Sequence, residues 1–173
     1  MDFKEYLIKK EKTPREIFLT VLIYLAATVL AVIGVMCMLF VGGLGGIMML
    51  LIVGVYYGAY ILSSRFNKEF EYVQTDEYFD VDVIFNKSRR KRIASFSAKS
   101  MEIMANEKDS LHNHILKGDF DKVIDATTGK KDEEIYFVVF NKNGRNLLKI
   151  QPPEALVKEM HRYAPSKVHL KKD

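Results

Sequence analysis

A run of 48 residues without Asp, Glu, Lys, Arg or His, from Ile17 to Ser64, constrains this chain more than any other feature. About 20 apolar residues are enough for a helix to span a bilayer, and helices in soluble cores are much shorter than this run. Because 28% of the whole chain is charged, the remaining residues are strongly polar. The sequence therefore predicts a membrane protein with a soluble part.

Glycines 42, 43, 45 and 46 divide the apolar run. Each Gly costs a helix about 1 kcal/mol relative to Ala, so this segment favours a tight turn. We predict a transmembrane helical hairpin over residues 17–64, with helices at about 17–40 and 44–62. Thr13-Pro14-Arg15-Glu16 has the spacing of a capping box with Pro at the first helical position. A single re-entrant segment is the alternative, but it would expose irregular backbone to lipid.

Basic residues flank the apolar run on both sides and predict its orientation. Residues 1–16 contain five Lys or Arg, the glycine turn contains none, and Arg65 and Lys68 follow the run. Because basic flanks stay on the cytoplasmic side, we expect a cell-membrane protein with both termini in the cytoplasm. Within residues 1–16, Phe3, Tyr6 and Leu7 recur at helical spacing, which favours a short amphipathic helix on the membrane surface.

Small residues at four-residue spacing occur in both predicted helices. Gly54 and Gly58 form a GxxxG pair, and Ala27 and Ala31 form a second small-residue pair. Such pairs let helix backbones approach closely in lipid. They predict either packing of the two helices against each other or a homodimer through Gly54 and Gly58.

The soluble segment over residues 66–165 has the patterns of a small β domain. Alternating apolar residues predict strands at 70–72 and 79–85, joined as a hairpin, and shorter strands at 93–98, 101–105 and 123–126. Two apolar runs around Asn143-Gly144 predict a further hairpin. Pro152-Pro153-Glu154 then opens an amphipathic helix that ends at Ala164-Pro165. We expect about seven antiparallel strands, one closing helix and a charged tail over 166–173.

The order of these elements resembles the pleckstrin-homology-like (PH-like) barrel, and the junction over residues 149–157 is similar to that of bacterial members. The whole chain resembles an uncharacterised family of small bacterial proteins with two membrane spans and a cytoplasmic PH-like domain. The resemblance rests on the order of short segments at residues 79–82, 89–92, 101–105, 123–125, 152–154 and 163–165. It implies an α+β membrane protein with a helical hairpin and a small helix-capped β-barrel. It implies no known activity and no catalytic residues.

A dense basic run lies between the predicted second and third strands. Five of the six residues from Lys87 to Arg92 are basic, namely Lys87, Arg89, Arg90, Lys91 and Arg92. If residues 86–91 form a turn that faces the bilayer, each cation contributes about 1 kcal/mol near an anionic leaflet. We therefore consider these residues a lipid-binding site, with a solvated turn that protects a strand edge as the alternative. Nucleic-acid binding is not favoured, because aromatic residues are not interleaved with the basic ones.

The sequence offers little for catalysis, metals or cofactors. His112 and His114 stand in a polar loop without evident further ligands, and Asp80 and Asp82 share a strand face that we expect to be solvated. Cys37 is the only cysteine, so an intramolecular disulfide is excluded. No nucleophile, phosphate-loop or dinucleotide-binding motif is present. We expect no enzyme activity, no metal and no cofactor.

The sequence thus favours a membrane-anchored, non-enzymatic interaction module. Its PH-like domain would bind a protein partner, a peptide strand at an open sheet edge, or anionic lipid headgroups. The alternative is an accessory or regulatory subunit of a larger membrane complex that is recognised through its transmembrane helices.

Overall fold

The computed structural model describes residues 3–40, 45–110, 112, 114–130 and 133–170. The chain forms two compact units, one over Lys12–Asn67 and one that combines Met1–Glu11 with Lys68–Asp173. The second unit is therefore discontinuous in sequence. This differs from the predicted domain over residues 66–165, which left out the N-terminal segment.

The first unit is a pair of long helices, α1 over Pro14–Phe40 and α2 over Gly45–Ser64. The capping box at the start of α1 is confirmed, because Thr13 N donates to Glu16 Oε2 at 2.8 Å and Glu16 N donates to Thr13 Oγ1 at 3.2 Å. Both helices extend slightly beyond their predicted bounds. Of the predicted glycine turn, residues 41–44 lie outside the described residues.

Both helices are long and apolar enough to cross a membrane. Their most apolar windows have mean hydropathies of 2.6 and 1.8, and only 11% of each window is buried. A core helix of a soluble protein would be mostly buried, whereas these helices expose most of their apolar side chains. That exposure is typical of helices that contact lipid.

Small and hydroxyl-bearing residues hold α1 against α2. Ala27 and Ala31 of α1 are buried, and small residues of this kind let helix backbones approach closely. The Tyr24 hydroxyl lies 3.1 Å from Ser63 Oγ, and Thr28 Oγ1 lies 3.2 Å from the Tyr56 hydroxyl. These paired hydroxyls satisfy polar groups that would otherwise face an apolar environment.

The second unit contains eight strands and one α-helix among the described residues. The strands are β1 (Phe3–Lys9), β2 (Lys68–Thr75), β3 (Tyr78–Phe85), β4 (Arg89–Ser97), β5 (Met101–Asn106), β6 (Lys122–Ala126), β7 (Tyr136–Asn141) and β8 (Arg145–Ile150), and the helix is α3 (Glu154–Tyr163). They form two four-stranded sheets with the orders β1-β2-β3-β4 (the first sheet) and β5-β7-β8-β6 (the second sheet). Both sheets and α3 contribute to one apolar core.

The predicted surface helix at the N-terminus is wrong, because residues 3–9 form strand β1. This strand pairs antiparallel with β2, with Tyr6 opposite Tyr72 and Ile8 opposite Phe70. Tyr6 and Ile8 pack against the core, while Leu7 between them is 57% exposed. This two-residue alternation is that of a half-buried strand. The whole helical unit is thus inserted in the loop of the β1–β2 hairpin.

The second sheet follows the prediction at its hairpin and departs from it at β6. Asn143 and Gly144 have φ values of 52° and 115°, the left-handed conformation that an Asn-Gly hairpin turn requires, so that hairpin is confirmed. Strand β6, however, pairs parallel with β8. The sheets are therefore rich in antiparallel pairs without being wholly antiparallel. The PH-like fold class, with a helix closing the β unit, is confirmed.

The C-terminal segment is better ordered than a charged tail. Met104 N donates to Lys167 O and His169 N donates to Met104 O, both at 2.8 Å. Val168 between them is 1% exposed. Residues 167–169 of the predicted charged tail therefore lie along β5, and residues 171–173 lie outside the described residues.

Candidate functional site

The basic run begins in a turn and continues along strand β4. Residues 86–88 form the turn between β3 and β4, closed by a 3.1 Å hydrogen bond from Ser88 N to Phe85 O. The predicted turn over 86–91 is therefore too long, because Arg89 already pairs with Phe85 and Lys91 with Val83. Side chains alternate between the two faces of a strand, so the cations of β4 cannot all act together.

Lys87 occupies a backbone conformation that disfavours it. Its φ is 57° and that of Asn86 is 48°, so two consecutive residues are left-handed. Asn tolerates this conformation, whereas Lys is disfavoured there by about 1 kcal/mol. At the equivalent place in the three-residue loop of the β7–β8 hairpin the chain has Asn143, whose φ is 52°. Asn or Gly would fit the backbone at residue 87 better than Lys.

Two of the five cations are engaged in ion pairs on the face of the first sheet that points away from the core. Arg92 Nη1 lies 2.9 Å from Asp80 Oδ2, and Arg92 Nε lies 3.0 Å from Asp82 Oδ1. Arg90 pairs with Glu71 and lies 3.9 Å from Asp82 Oδ2. The expectation that Asp80 and Asp82 form a solvated face is therefore wrong for Asp82, which is 3% exposed. Arg90 and Arg92 thus stabilise the sheet by compensating the buried carboxylates of Glu71 and Asp82.

Glu71 is the most deeply buried of these carboxylates, at 1% exposure, on the middle of strand β2. The pKa of its carboxyl is raised to about 7, first by burial and then by a hydrogen bond with the carboxyl of Glu5 on β1, while the Arg90 guanidinium opposes the rise. Desolvation penalises the charged form, so the carboxyl holds its proton more tightly than usual. The acidic residues of β2 and β3 and the basic residues of β4 were the feature of the sequence that could have predicted this charge cluster.

The other three cations of the run, Lys87, Arg89 and Lys91, are exposed and make no ion pair with a residue that the structure describes. They lie at the end of the first sheet where Phe85 pairs with both Lys68 and Arg89. Lys9, at the end of β1, pairs with Glu69 at the same end. We call this end of the first sheet the basic end and define it by its five cations, Lys9, Lys68, Lys87, Arg89 and Lys91.

The histidines lie closer together than the sequence suggested. The rings of His112 and His169 stack with centroids 4.2 Å apart, and His112 Nδ1 lies 2.8 Å from Asp109 Oδ2. His161 Nδ1 lies 2.8 Å from the Val168 carbonyl oxygen. His161 and His169 therefore both have partners in the structure. Within the described residues, no group of three or more His, Cys, Asp or Glu could hold a metal ion.

The predicted glycine pair does not join the two apolar helices. A Cβ placed on Gly54 or Gly58 would meet no heavy atom within 4 Å, so neither glycine contacts α1. Gly34 of α1, in contrast, lies close to α2, because a Cβ added to it would lie 3.5 Å from Ile52 Cγ1. Of the predicted small-residue pairs, Ala27 and Ala31 thus lie in the helix contact, and Gly54 and Gly58 face away from it.

Comparison with known proteins identifies the chain at the level of a family. Residues 2–170 match the model of a family described as a bacterial PH-like domain (DUF6106). The match includes β1 and both apolar helices as well as the continuous part of the β unit. No curated protein and no solved structure matches the chain significantly.

Proposed function

The chain belongs to this family of bacterial PH-like domains, and on that basis we propose that it is an interaction module anchored in the cytoplasmic membrane by α1 and α2. Domains of this fold are generally non-catalytic, and we propose no enzymatic activity for this one. We propose that its ligand is the anionic surface of the bilayer, which the basic end contacts.

The pairing of β1 with β2 supports the proposed membrane arrangement. These two strands flank the helical unit on either side in sequence and share seven paired positions. Strands that pair must lie on one side of a membrane, and two crossings return the chain to the side on which it started. The basic flanks of the apolar run favour the cytoplasm as that side.

The observation that carries the lipid proposal is the position of unpaired cations at one end of the first sheet. Both chain links to the apolar helices, residues 11–13 and 65–67, leave the sheet at the basic end. A residue spans at most about 3.6 Å when fully extended, so these links are short. Lys87, Arg89 and Lys91 are exposed. Each such cation contributes about 1 kcal/mol near an anionic leaflet.

The proposal can be tested on the full chain in nanodiscs whose content of anionic lipid is varied. Hydrogen exchange is measured at the amides of residues 85–92. We expect protection to increase with anionic lipid and to decrease when salt shortens the Debye length from about 10 Å to about 3 Å. The triple variant Lys87→Gln, Arg89→Gln, Lys91→Gln should lose this dependence.

The matched control removes three exposed lysines elsewhere in the β unit, as Lys108→Gln, Lys117→Gln, Lys122→Gln. It carries the same net charge as the triple variant, so a general charge effect would alter both equally. Exchange that is independent of lipid composition in the unaltered protein would overturn the lipid proposal.

A second candidate function, as a subunit of a larger membrane complex or of a homodimer, is favoured by the open face of α2. Gly54 and Gly58 are four residues apart and do not contact α1. In lipid, such a pair allows another helix to approach closely. Gly54→Ile with Gly58→Ile should abolish inter-chain crosslinking in native membranes, and crosslinking that persists unchanged would contradict this candidate.

A further inference from the structure

The second sheet carries a small apolar cluster on the face that points away from the main core. Val138 belongs to the main core and its neighbour Val139 to this cluster, because side chains alternate along a strand. The cluster is almost fully buried and consists of Ala105, Phe137, Val139 and Leu147. The side chains that pack over it come from the segment between β5 and β6, namely Ile115, Leu116 and Phe120. We call residues 114–121 the cover, since this segment shields the apolar face from water.

The two ends of the cover are held in different ways. At its end, Asp121 N donates to Arg145 O at 2.9 Å and Asp121 Oδ2 accepts from Arg145 N at 2.7 Å, which fixes this end to β8. At its start, Ile115 N donates to the carbonyl oxygen of His112 at 3.0 Å. The His112 ring stacks on the His169 ring, with centroids 4.2 Å apart. The start of the cover is thus held to the C-terminal segment through a pair of histidines.

Backbone hydrogen bonds hold His169, the other member of this pair, on the second sheet. His169 N donates to Met104 O at 2.8 Å, and the neighbouring Val168 is 1% exposed. His112 lies in a turn with Asp109, whose Oδ2 is 2.8 Å from His112 Nδ1 and whose carbonyl oxygen accepts from His112 N at 3.2 Å. Both contacts are local to the turn, so they can be kept when the two rings separate. Separation of the rings is therefore the step that frees the start of the cover.

The charged and titratable groups that act on His169 come from two neighbouring elements. Asp109 and His112 lie in the turn after β5, and His161 lies on α3. The pKa of the His169 imidazole is lowered, first by burial and then by His112. Asp109 opposes this fall, and His161 adds to it. Because His161 Nδ1 lies 2.8 Å from the carbonyl oxygen of Val168, which can only accept, that nitrogen carries a hydrogen, and a further proton makes the ring cationic.

Acidification should weaken the stacked pair. In the closed state a His169 imidazolium would stand against His112 in a partly buried place, whereas after separation the His169 ring is solvated and titrates near the ordinary histidine pKa of about 6.5. The open state therefore binds more protons than the closed state, so a lower pH favours opening. Above about pH 6.5 the His169 ring is neutral in both states, and its charge does not oppose closure.

We propose that His112 and His169 form a proton-operated clasp, which holds the cover over the apolar face at neutral pH and releases it when the surroundings become acidic. The cover then pivots about its fixed end at Asp121 and exposes Val139. Histidines suit this role because their charge changes between about pH 5 and pH 8. The clasp does not include the basic end, so its response to pH is independent of the proposed lipid contact.

The test measures access to the apolar face by thiol labelling of the full chain in nanodiscs. Cys37, the only cysteine, is first replaced by Ala. Val139→Cys then places a thiol beneath the cover, and Val138→Cys places one on the opposite face of the same strand as a matched control, since both valines are 0% exposed. Each labelling rate is divided by that of a free thiol at the same pH, which removes the effect of thiol ionisation.

From about pH 7.5 to about pH 5.5, we expect the relative labelling rate of Val139→Cys to rise about fivefold or more. That of Val138→Cys should change less than about twofold, because its thiol becomes accessible only when the main core opens. A rate for Val139→Cys that does not depend on pH would overturn the proposal. An equal acceleration of both thiols would also overturn it, because it would report unfolding of the whole β unit.

Variants of the clasp show whether charge on His169 is the trigger. His169→Phe keeps a ring that can stack on His112 but takes up no proton, and should label slowly at both pH values. His169→Arg is always cationic and should label rapidly at both. His114→Gln removes an exposed histidine of the same segment that is not in the pair, and should leave the response to pH unchanged. Equal labelling of His169→Phe and His169→Arg, whether slow or rapid, would show that charge at this position does not release the cover.

Discussion

The amide nitrogen of Lys10 donates a hydrogen bond to the carbonyl oxygen of Lys68 at 3.0 Å, although helices α1 and α2 lie between them in the chain. These two residues form the last hydrogen-bonded pair of the β1–β2 ladder. A two-residue type I′ turn could close the ladder at this point, because such turns join a hydrogen-bonded pair.

Replacing residues 11–67 by Asn-Gly should therefore give a soluble, folded β unit. Residues 68–173 alone should be much less stable, because Tyr6 and Ile8 no longer cover Tyr72 and Phe70. Each such side chain contributes about 1.5–3 kcal/mol when fully buried, and these two are partly buried. Thermal melts followed by circular dichroism compare the two proteins, and equal melting temperatures would show that β1 adds nothing to the fold.

Arg90 and Arg92 should matter for stability, and their neighbours in the run should not. Arg90→Ala removes the cation paired with the buried Glu71, and Arg92→Ala leaves the buried Asp82 carboxylate with only Arg90 at 3.9 Å, so we expect a loss of about 1–3 kcal/mol from either change. Arg89→Ala and Lys91→Ala should change stability by less than about 0.5 kcal/mol, because both side chains are exposed. Chemical denaturation of the full chain measures all four, and the two pairs of variants serve as mutual controls.

The contribution of Glu71 to stability should decrease as pH rises from about 4.5 to about 8. In this range the folded protein holds the Glu71 proton, since burial raises its pKa to about 7, while the unfolded chain has released it. The native state thus binds more protons than the unfolded state, and the loss on raising the pH is up to about 3 kcal/mol. Glu71→Gln cannot ionise, so its stability should vary less over this range. Parallel pH profiles for both proteins would contradict the assignment to Glu71.

Lys87→Gly should stabilise the protein and weaken its lipid contact. Glycine adopts a φ of 57° without steric cost, so we expect a gain of about 1 kcal/mol in the free energy of unfolding. The loss of one cation should reduce the lipid-dependent protection of residues 85–92. Lys87→Asn, which tolerates the left-handed conformation and also removes the charge, is the comparison. A variant that gains stability and keeps full lipid dependence would show that Lys87 does not contact lipid.

Local patterns were enough to predict the elements that depend on adjacent residues. Asn143-Gly144 determines its hairpin, and Pro152-Pro153-Glu154 determines the start of α3, within a few positions of chain. The length of the apolar run was likewise enough to predict α1 and α2. None of these features depends on residues that are far away in the chain.

The elements that the sequence did not reveal depend on partners far away in the chain. Residues 3–9 are only seven residues long and are followed by no turn motif. They form a strand because they pair with strand β2 (Lys68–Thr75), which is far away in the chain. The basic residues at the start of β4 have no apolar alternation that would predict a strand, and Glu71 and Asp82 compensate two of them across neighbouring strands.

The insertion of two helices within one hairpin also has a consequence for biosynthesis. Strand β1 is synthesised before α1 and α2, yet its partner β2 follows only after both helices have been made. The ladder therefore cannot close until both helices are complete. If the helices cross a membrane as we propose, closure also requires both flanks to lie on one side of it, and a complete first sheet would report that the helices have been inserted.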